Sequence, residues 1–140
     1  MRSTRCGDIP DVHRHLGGDR CPRRREDAAD WSRRIGQASI RITSPLVVLE
    51  AAMRLSSKLV VEPLFAEKAI EEFLREAEIE VVPIEIGDAK LAIQAFSNYG
   101  KGRGHPAQLN LADCLSYASA KSRGMPLLYK GKDFSHTDLA

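Results

Sequence analysis

"LNLADCLSYASAKSRGMPLLYKGKDF", Leu109 to Phe134, sets an acid among small and apolar residues and then runs through a glycine into a hydrophobic segment. The spacing predicts a helix up to Gly124, which suits a helix C-terminus because glycine alone takes left-handed backbone without steric cost. "MPLLY" after it reads as a buried strand, and Asp133 falls just past that strand's carboxyl end. A helix feeding a hydrophobic strand is the unit of a layered α/β fold, in which ligands bind beyond the strand carboxyl ends. Asp113 has two readings. It stands three residues after Asn110, as the acid of a capping box does, and it is a carboxylate that burial would penalise without a partner.

Outward from this stretch the alternation continues. Ser44-Pro45 supplies an N-cap and a proline at the first helical position, opening the helix "LVVLEAAMRLSS". Glu62-Pro63 opens another, "LFAEKAIEEFLREAE", with Leu64, Ala69, Ile70, Phe73 and Leu74 at helical spacing. "EDAADWSRRIGQA" and "GDAKLAIQAFSNY" also read as helices, "SIRIT" (Ser39 to Thr43) and "IEVVPIE" (Ile79 to Glu85) as strands, and "GKGRGHPAQ" as a loop. Pro83 places the second strand's end, or an edge, nearby. The expected class is α/β, a three-layer α/β/α arrangement on a mainly parallel sheet. Over residues 37–140, Glu50, Asp113 and Asp133 are expected to face one groove.

The chain has 140 residues, 43% of them hydrophobic, which is enough for one core. Its net charge of +2 is uneven, because Arg2, Arg5, Arg14, Arg20, Arg23, Arg24, Arg25, Arg33 and Arg34 crowd the front. Residues 1–25 show neither helical nor strand period and are rich in Arg, Gly and Pro, so the expected division is an irregular basic segment followed by a domain over 26–140. No apolar run approaches the roughly 18 residues of a membrane span, and no hydrophobic stretch follows the first arginines as in a secretion signal. A cytoplasmic protein without membrane contact is expected. Cys6, Cys21 and Cys114 are odd in number and irregularly spaced, which argues for free thiols. Cys6, His13, His15 and Cys21 offer zinc-ligand types without zinc-finger spacing, and "GKGRG" lacks the Lys-Ser/Thr ending of a phosphate-binding P-loop. His105 and His136 read as surface residues.

Glu50, Asp113 and Asp133 fall in the order helix, helix, strand end. Acids brought together repel one another unless a cation intervenes, and hard ions such as Mg2+ or Mn2+ take carboxylate oxygens. Each acid also has a structural reading: Glu50 pairs at helical spacing with Arg54, Asp113 caps its helix, and Asp133 and Asp138 suit turns.

Gly100 to Leu139 resembles the C-terminal part of PIN-domain ribonucleases of the VapC toxin family, through Asn110-x-x-Asp113, Tyr117-Ala118, the Pro-Leu-Leu segment and Lys130-Gly131-x-Asp133-Phe134. "ITSPLVVLEAAMRL" resembles that family's middle acid motif, and the likeness covers about residues 26–140. The resemblance implies a metal-dependent endoribonuclease, the toxin of a type II toxin-antitoxin pair. Glu50, Asp113 and Asp133 would be three of its four acids, catalytic and metal-binding, with Asn110 in support and Mg2+ or Mn2+ as cofactor. It further implies an RNA substrate, to which Lys101 and Arg103 on their glycine-rich loop are suited, a small antitoxin partner and a homodimer.

The fourth acid of the family closes a first hydrophobic strand and is followed by Thr or Ser; this sequence has no such strand. Two readings compete for the N-terminal segment. It is a natural basic arm, with arginines able to hold a phosphate backbone and the chain a non-cutting RNA- or antitoxin-binding module, or it is a translation in a shifted frame. Moving "DVHRHLGGDRC" (Asp11 to Cys21) by one base permits Met-Phe-Ile-Asp-Thr-Ser-Ala-Ala-Ile-Val-Ala, which is the missing motif.

Overall fold

The computed structural model describes residues 22–129 and 132–140. Of the expected irregular segment 1–25, residues 1–21 with their Cys and His residues lie outside the described residues, as do Lys130-Gly131, while residues 22–25 are helical and open the first helix. In order come α1 (Pro22–Gln37), β1 (Ile42–Thr43), α2 (Pro45–Leu59), α3 (Pro63–Glu76), β2 (Glu80–Val81), α4 (Ile86–Tyr99), α5 (Leu111–Arg123) and a short 3-10 turn (Phe134–His136). β1 and β2 run parallel, Ile42 facing Glu80 and Thr43 facing Val81, so the class is α/β and rich in helix. No helix among the described residues is long and apolar enough to cross a membrane.

The described residues fall into two compact units. One comprises Ser44–Val47 and Pro83–Ala140; the other comprises residues 22–43 and Val48–Val82. In the second unit, Ala51 and Leu55 of α2 pack with Ala66 and Ile70 of α3, bordered by Val48, Leu59, Ala69 and Leu74. Of the residues predicted from helical spacing in α3, Ile70 belongs to this core and Ala69 and Leu74 border it, whereas Leu64 is 71% exposed and Phe73 is not part of it. Arg41 ties the unit's turns together, donating to the carbonyls of Ala38 (3.1 Å), Ala77 (2.7 Å) and Gly36 (3.3 Å).

In the first unit α4 packs along α5. Ala95, Ala107, Leu109, Cys114, Tyr117 and Phe134 form the buried cluster, with Ala92, Tyr99, Leu127, Tyr129 and Leu139 against it. Gly100 and Leu109 close the basic loop as a parallel bridge, Lys101 N–H reaching Leu109 O at 3.0 Å and Leu109 N–H reaching Tyr99 O at 2.9 Å.

Three helices end the same way. Val60 (φ 54°), Glu78 (φ 53°) and Gly124 (φ 61°) take left-handed backbone directly or one residue after α2, α3 and α5. The following N–H groups, of Val61, Ile79 and Met125, then bond five residues back to Ser56, Leu74 and Ala120 carbonyls at 3.1, 2.8 and 2.9 Å. Carbonyls that the helix would leave bare are satisfied in this way.

Strands depart most from expectation. "SIRIT" and "IEVVPIE" shrink to two-residue strands, and Met125 to Tyr129 carries none. A strand exists through ladder bonds to a neighbour, and no backbone bond links residues 126–129 to another described residue. Leu127 and Tyr129 nevertheless pack against the buried cluster, so the burial read from the apolar run holds while the pairing does not. The second strand stops before Pro83, as a residue without a backbone donor requires.

Candidate functional site

Asp113 occupies the third position of α5 and is 8% exposed. Asn110 caps the helix: its side-chain oxygen accepts from Asp113 N–H at 2.9 Å, while the Asp113 carboxylate accepts from Asn110 N–H at 2.9 Å. The capping reading is therefore real, and it also fixes the direction of a buried carboxylate. Next along, Cys114 is a free, buried thiol whose pKa burial, followed by the charge of Asp113, raises to about 11.

Asp133 is half-buried and opens the 3-10 turn, whose first residue, Phe134, is 6% exposed and 5.4 Å from the Tyr129 ring. The two acids flank one core: Cys114 beside Asp113 and Phe134 beside Asp133 belong to the same buried cluster. Glu50 stands on α2 in the other unit, where its carboxylate accepts from Arg54 at 2.7 Å, the pairing that the sequence offered as its structural role.

Lys101 and Arg103 are exposed on the loop after α4, where Gly102 (φ 81°) and Gly104 (φ 77°) supply the backbone that lets it turn. The Arg103 guanidinium lies 5.8 Å from the Phe96 ring centre. His105 is not a plain surface residue: it is half-buried, its Nδ1 accepts from Ala107 N–H at 3.1 Å, and its ring meets Tyr99 edge-on at 5.0 Å. His136 is exposed, as expected.

Two arrangements escaped the sequence reading. Asp88, 4% exposed at the start of α4, accepts from Glu85 N–H (3.1 Å), Ser122 Oγ (2.7 Å) and Arg123 (3.4 Å), and Arg123 also reaches Pro83 O (3.2 Å). The bond from Glu85 N–H, with Ser122 and Arg123, holds its pKa below the ordinary value against the opposing effect of burial. Glu85-Ile-Gly-Asp88 has capping-box spacing and was the available signal. Asp138, an expected turn residue, instead accepts from Tyr117 Oη (2.8 Å) and Tyr99 Oη (3.4 Å) and pairs with Lys121. Its partners on α5 follow Asp113 at positions four and eight further on, one helical face.

The PIN domain family model matches residues 21–139. Over 112 residues the chain is 42% identical to "VapC ribonuclease Mb0625" of Mycobacterium bovis and to "Ribonuclease VapC28" of Mycobacterium tuberculosis, covering 80% of this chain and 82% of each. Over 117 residues it is 39% identical to "Ribonuclease VapC30" of Mycobacterium tuberculosis, covering 81% and 84%. The chain belongs to the PIN-domain family, with the VapC proteins as its kin. The PIN match takes in Glu50, Asn110, Asp113 and Asp133 together. Carboxylates are the donors that hard divalent ions prefer. Among the described residues of this PIN chain, however, no group of three or more His, Cys, Asp or Glu side chains is arranged to hold a metal ion. The donors suit Mg2+ or Mn2+ in kind and fall short in number.

Proposed function

We propose that this chain is a toxin-type endoribonuclease of the VapC kind, cutting RNA phosphodiesters with Mg2+ or Mn2+, toward which Glu50, Asp113 and Asp133 would contribute three of the family's four carboxylates. The observation that carries the reading is Asp113, a buried carboxylate oriented by Asn110 in a chain 42% identical to proteins named ribonucleases. Such an ion supplies Lewis-acid activation of the phosphoryl group and of an attacking water. The chain's own residues do the rest. Asn110 N–H sets the carboxylate direction of Asp113, the buried Phe134 anchors the turn that begins at Asp133, and Lys101 and Arg103 offer cations for RNA phosphates. A small antitoxin whose tail brings a cationic side chain to the acids, self-association and a cytoplasmic setting complete the proposal.

The first acid of the family pattern is absent from the sequence as written. Carboxylate count governs the affinity of such sites, so three acids in place of four hold a strongly hydrated ion poorly. A second reading, a module that binds RNA or antitoxin without cutting, is favoured by this absence and by the lack of a three-donor group among the described residues. Cleavage of RNA in Mn2+ separates the two. The chain as written is expected to cut little, and replacement of residues 1–22 by the shifted reading, which restores Asp-Thr after a hydrophobic strand, is expected to bring cleavage back. RNA or antitoxin binding with no cleavage by the repaired chain supports the second reading. Sequencing the DNA over codons 8 to 26 tests the shifted frame itself.

A further inference from the structure

The basic loop after α4 folds back on that helix. Arg103 N–H bonds Gly100 O at 3.1 Å, closing a four-residue turn whose third position, Gly102, takes the positive φ (81°) that favours glycine. The turn returns Arg103 to α4, where its guanidinium carbon lies 5.8 Å from the centre of the Phe96 ring. Phe96 is itself seated: its Cδ2 and Cε2 atoms fill the place that a Cβ on Gly100 would take, yet 48% of the residue remains exposed. Both ends of the loop are fixed. Lys101 N–H bonds the carbonyl of Leu109, the residue before the cap of α5, and His105 at the far end meets Tyr99 edge-on.

We propose that Phe96 is a stacking shelf for one unpaired base of RNA, with Arg103 and Lys101 holding phosphates beside it. The inference rests on the reading of RNA as this chain's substrate, and it names the residue that meets a base. A half-exposed ring fixed on a glycine offers a flat apolar face at little cost in side-chain freedom, and every base has a π-face to lay on it. The cations select among flat partners. Exposed Lys101 and Arg103 beside the ring favour one strung on a polyanion, and a guanidinium can lie against an aromatic ring while its N–H groups reach phosphate oxygens. Bases inside a duplex have both faces covered by their neighbours, so the shelf takes a single-stranded segment. Through the bond to Leu109 O, the loop is tied to the segment whose next residue, Asn110, orients Asp113.

The test is binding of the full chain to an end-labelled single-stranded RNA of about 12 nucleotides, followed by fluorescence anisotropy in EDTA so that no cleavage enters. Phe96→Leu keeps an apolar side chain over Gly100 and removes the π-face; it is expected to weaken binding about five-fold or more, with the thermal midpoint and circular dichroism little changed. Phe96→Tyr, which restores the ring, is expected to recover most of the affinity. On an abasic strand of the same length, and on a blunt duplex, the unaltered chain and Phe96→Leu are expected to bind alike. Arg103→Gln is expected to lower the slope of log Kd against log salt by roughly 0.7, the share of one phosphate on a single strand, while Phe96→Leu leaves that slope unchanged. The arginines of residues 1–25 are common to every variant and cancel from these comparisons. Equal binding of the single strand by the unaltered chain and Phe96→Leu, or a loss of the same size on the abasic strand or the duplex, would overturn the stacking role and leave the proposed function standing. An unaltered chain that holds the abasic strand as tightly as the RNA would overturn it in the same way. Failure of the unaltered chain to bind the single strand at all would overturn the RNA reading and this inference with it.

Discussion

Asp113 and Asn110 cap α5 reciprocally, and Asp113 is at the same time the buried carboxylate on which the proposed site rests. The reciprocal bonds between them were readable from the spacing Asn-x-x-Asp, and the structure places both at 2.9 Å. The depth of Asp113 was readable only indirectly, from the small and apolar residues around it. Asp88 is the opposite case: its partners Ser122 and Arg123 lie more than 30 residues away in sequence, a meeting that local pattern cannot foresee. Its folded-state pKa is held below the usual value of 3.8, so its contribution to stability is present above the unfolded pKa and is lost as pH falls through the folded one. Acid unfolding should therefore steepen below about pH 4, and Asp88→Asn should flatten that part of the stability curve. Urea unfolding at a series of pH values measures it; an unchanged slope in the variant would contradict the brace assigned to Asp88.

Helices were legible because their signals are local: Ser44-Pro45, Glu62-Pro63, Asn110 and Gly124 each mark an end that the structure confirms. Strands were not, because a strand depends on a distant neighbour, and Met125 to Tyr129 has an apolar sequence without ladder bonds to other described residues. The helix ends hold one local conflict. Val60, β-branched and 90% exposed, sits in left-handed backbone at φ 54°, where Gly124 does the same task after α5 without a Cβ. Val60→Gly removes that strain and no buried contact. It is expected to stabilise the protein by about 0.5–1 kcal/mol, the strain relief of roughly 1–2 kcal/mol being partly offset by the greater freedom of glycine in the unfolded chain. Thermal or urea unfolding checks the sign. Gly100 has no such latitude, since a Cβ there would run into the Phe96 carbonyl and ring. Gly100→Ala is expected to cost about 1–3 kcal/mol, as overpacking does.

At the scale of the whole molecule, family membership rests on a match running through residues 21–139, and the ordered set from Asn110 to Phe134 already pointed to it. Glu50, Asp113 and Asp133 were legible as motif positions. The metal site proposed on them also calls for a first acid that the written sequence lacks. The most direct measurement of the central claim is Mn2+-dependent RNA cleavage by the chain carrying the restored N-terminal strand, with and without Asp113→Asn. The substitution removes the charge and keeps Asn110 as the cap, so the fold is expected to remain within about 1 kcal/mol of the parent. The account predicts cleavage by the restored chain and its loss, by a hundred-fold or more, in the Asp113→Asn variant, the scale on which removal of one essential electrostatic group acts. Full cleavage by the variant would contradict it and leave Asp113 as a helix cap alone.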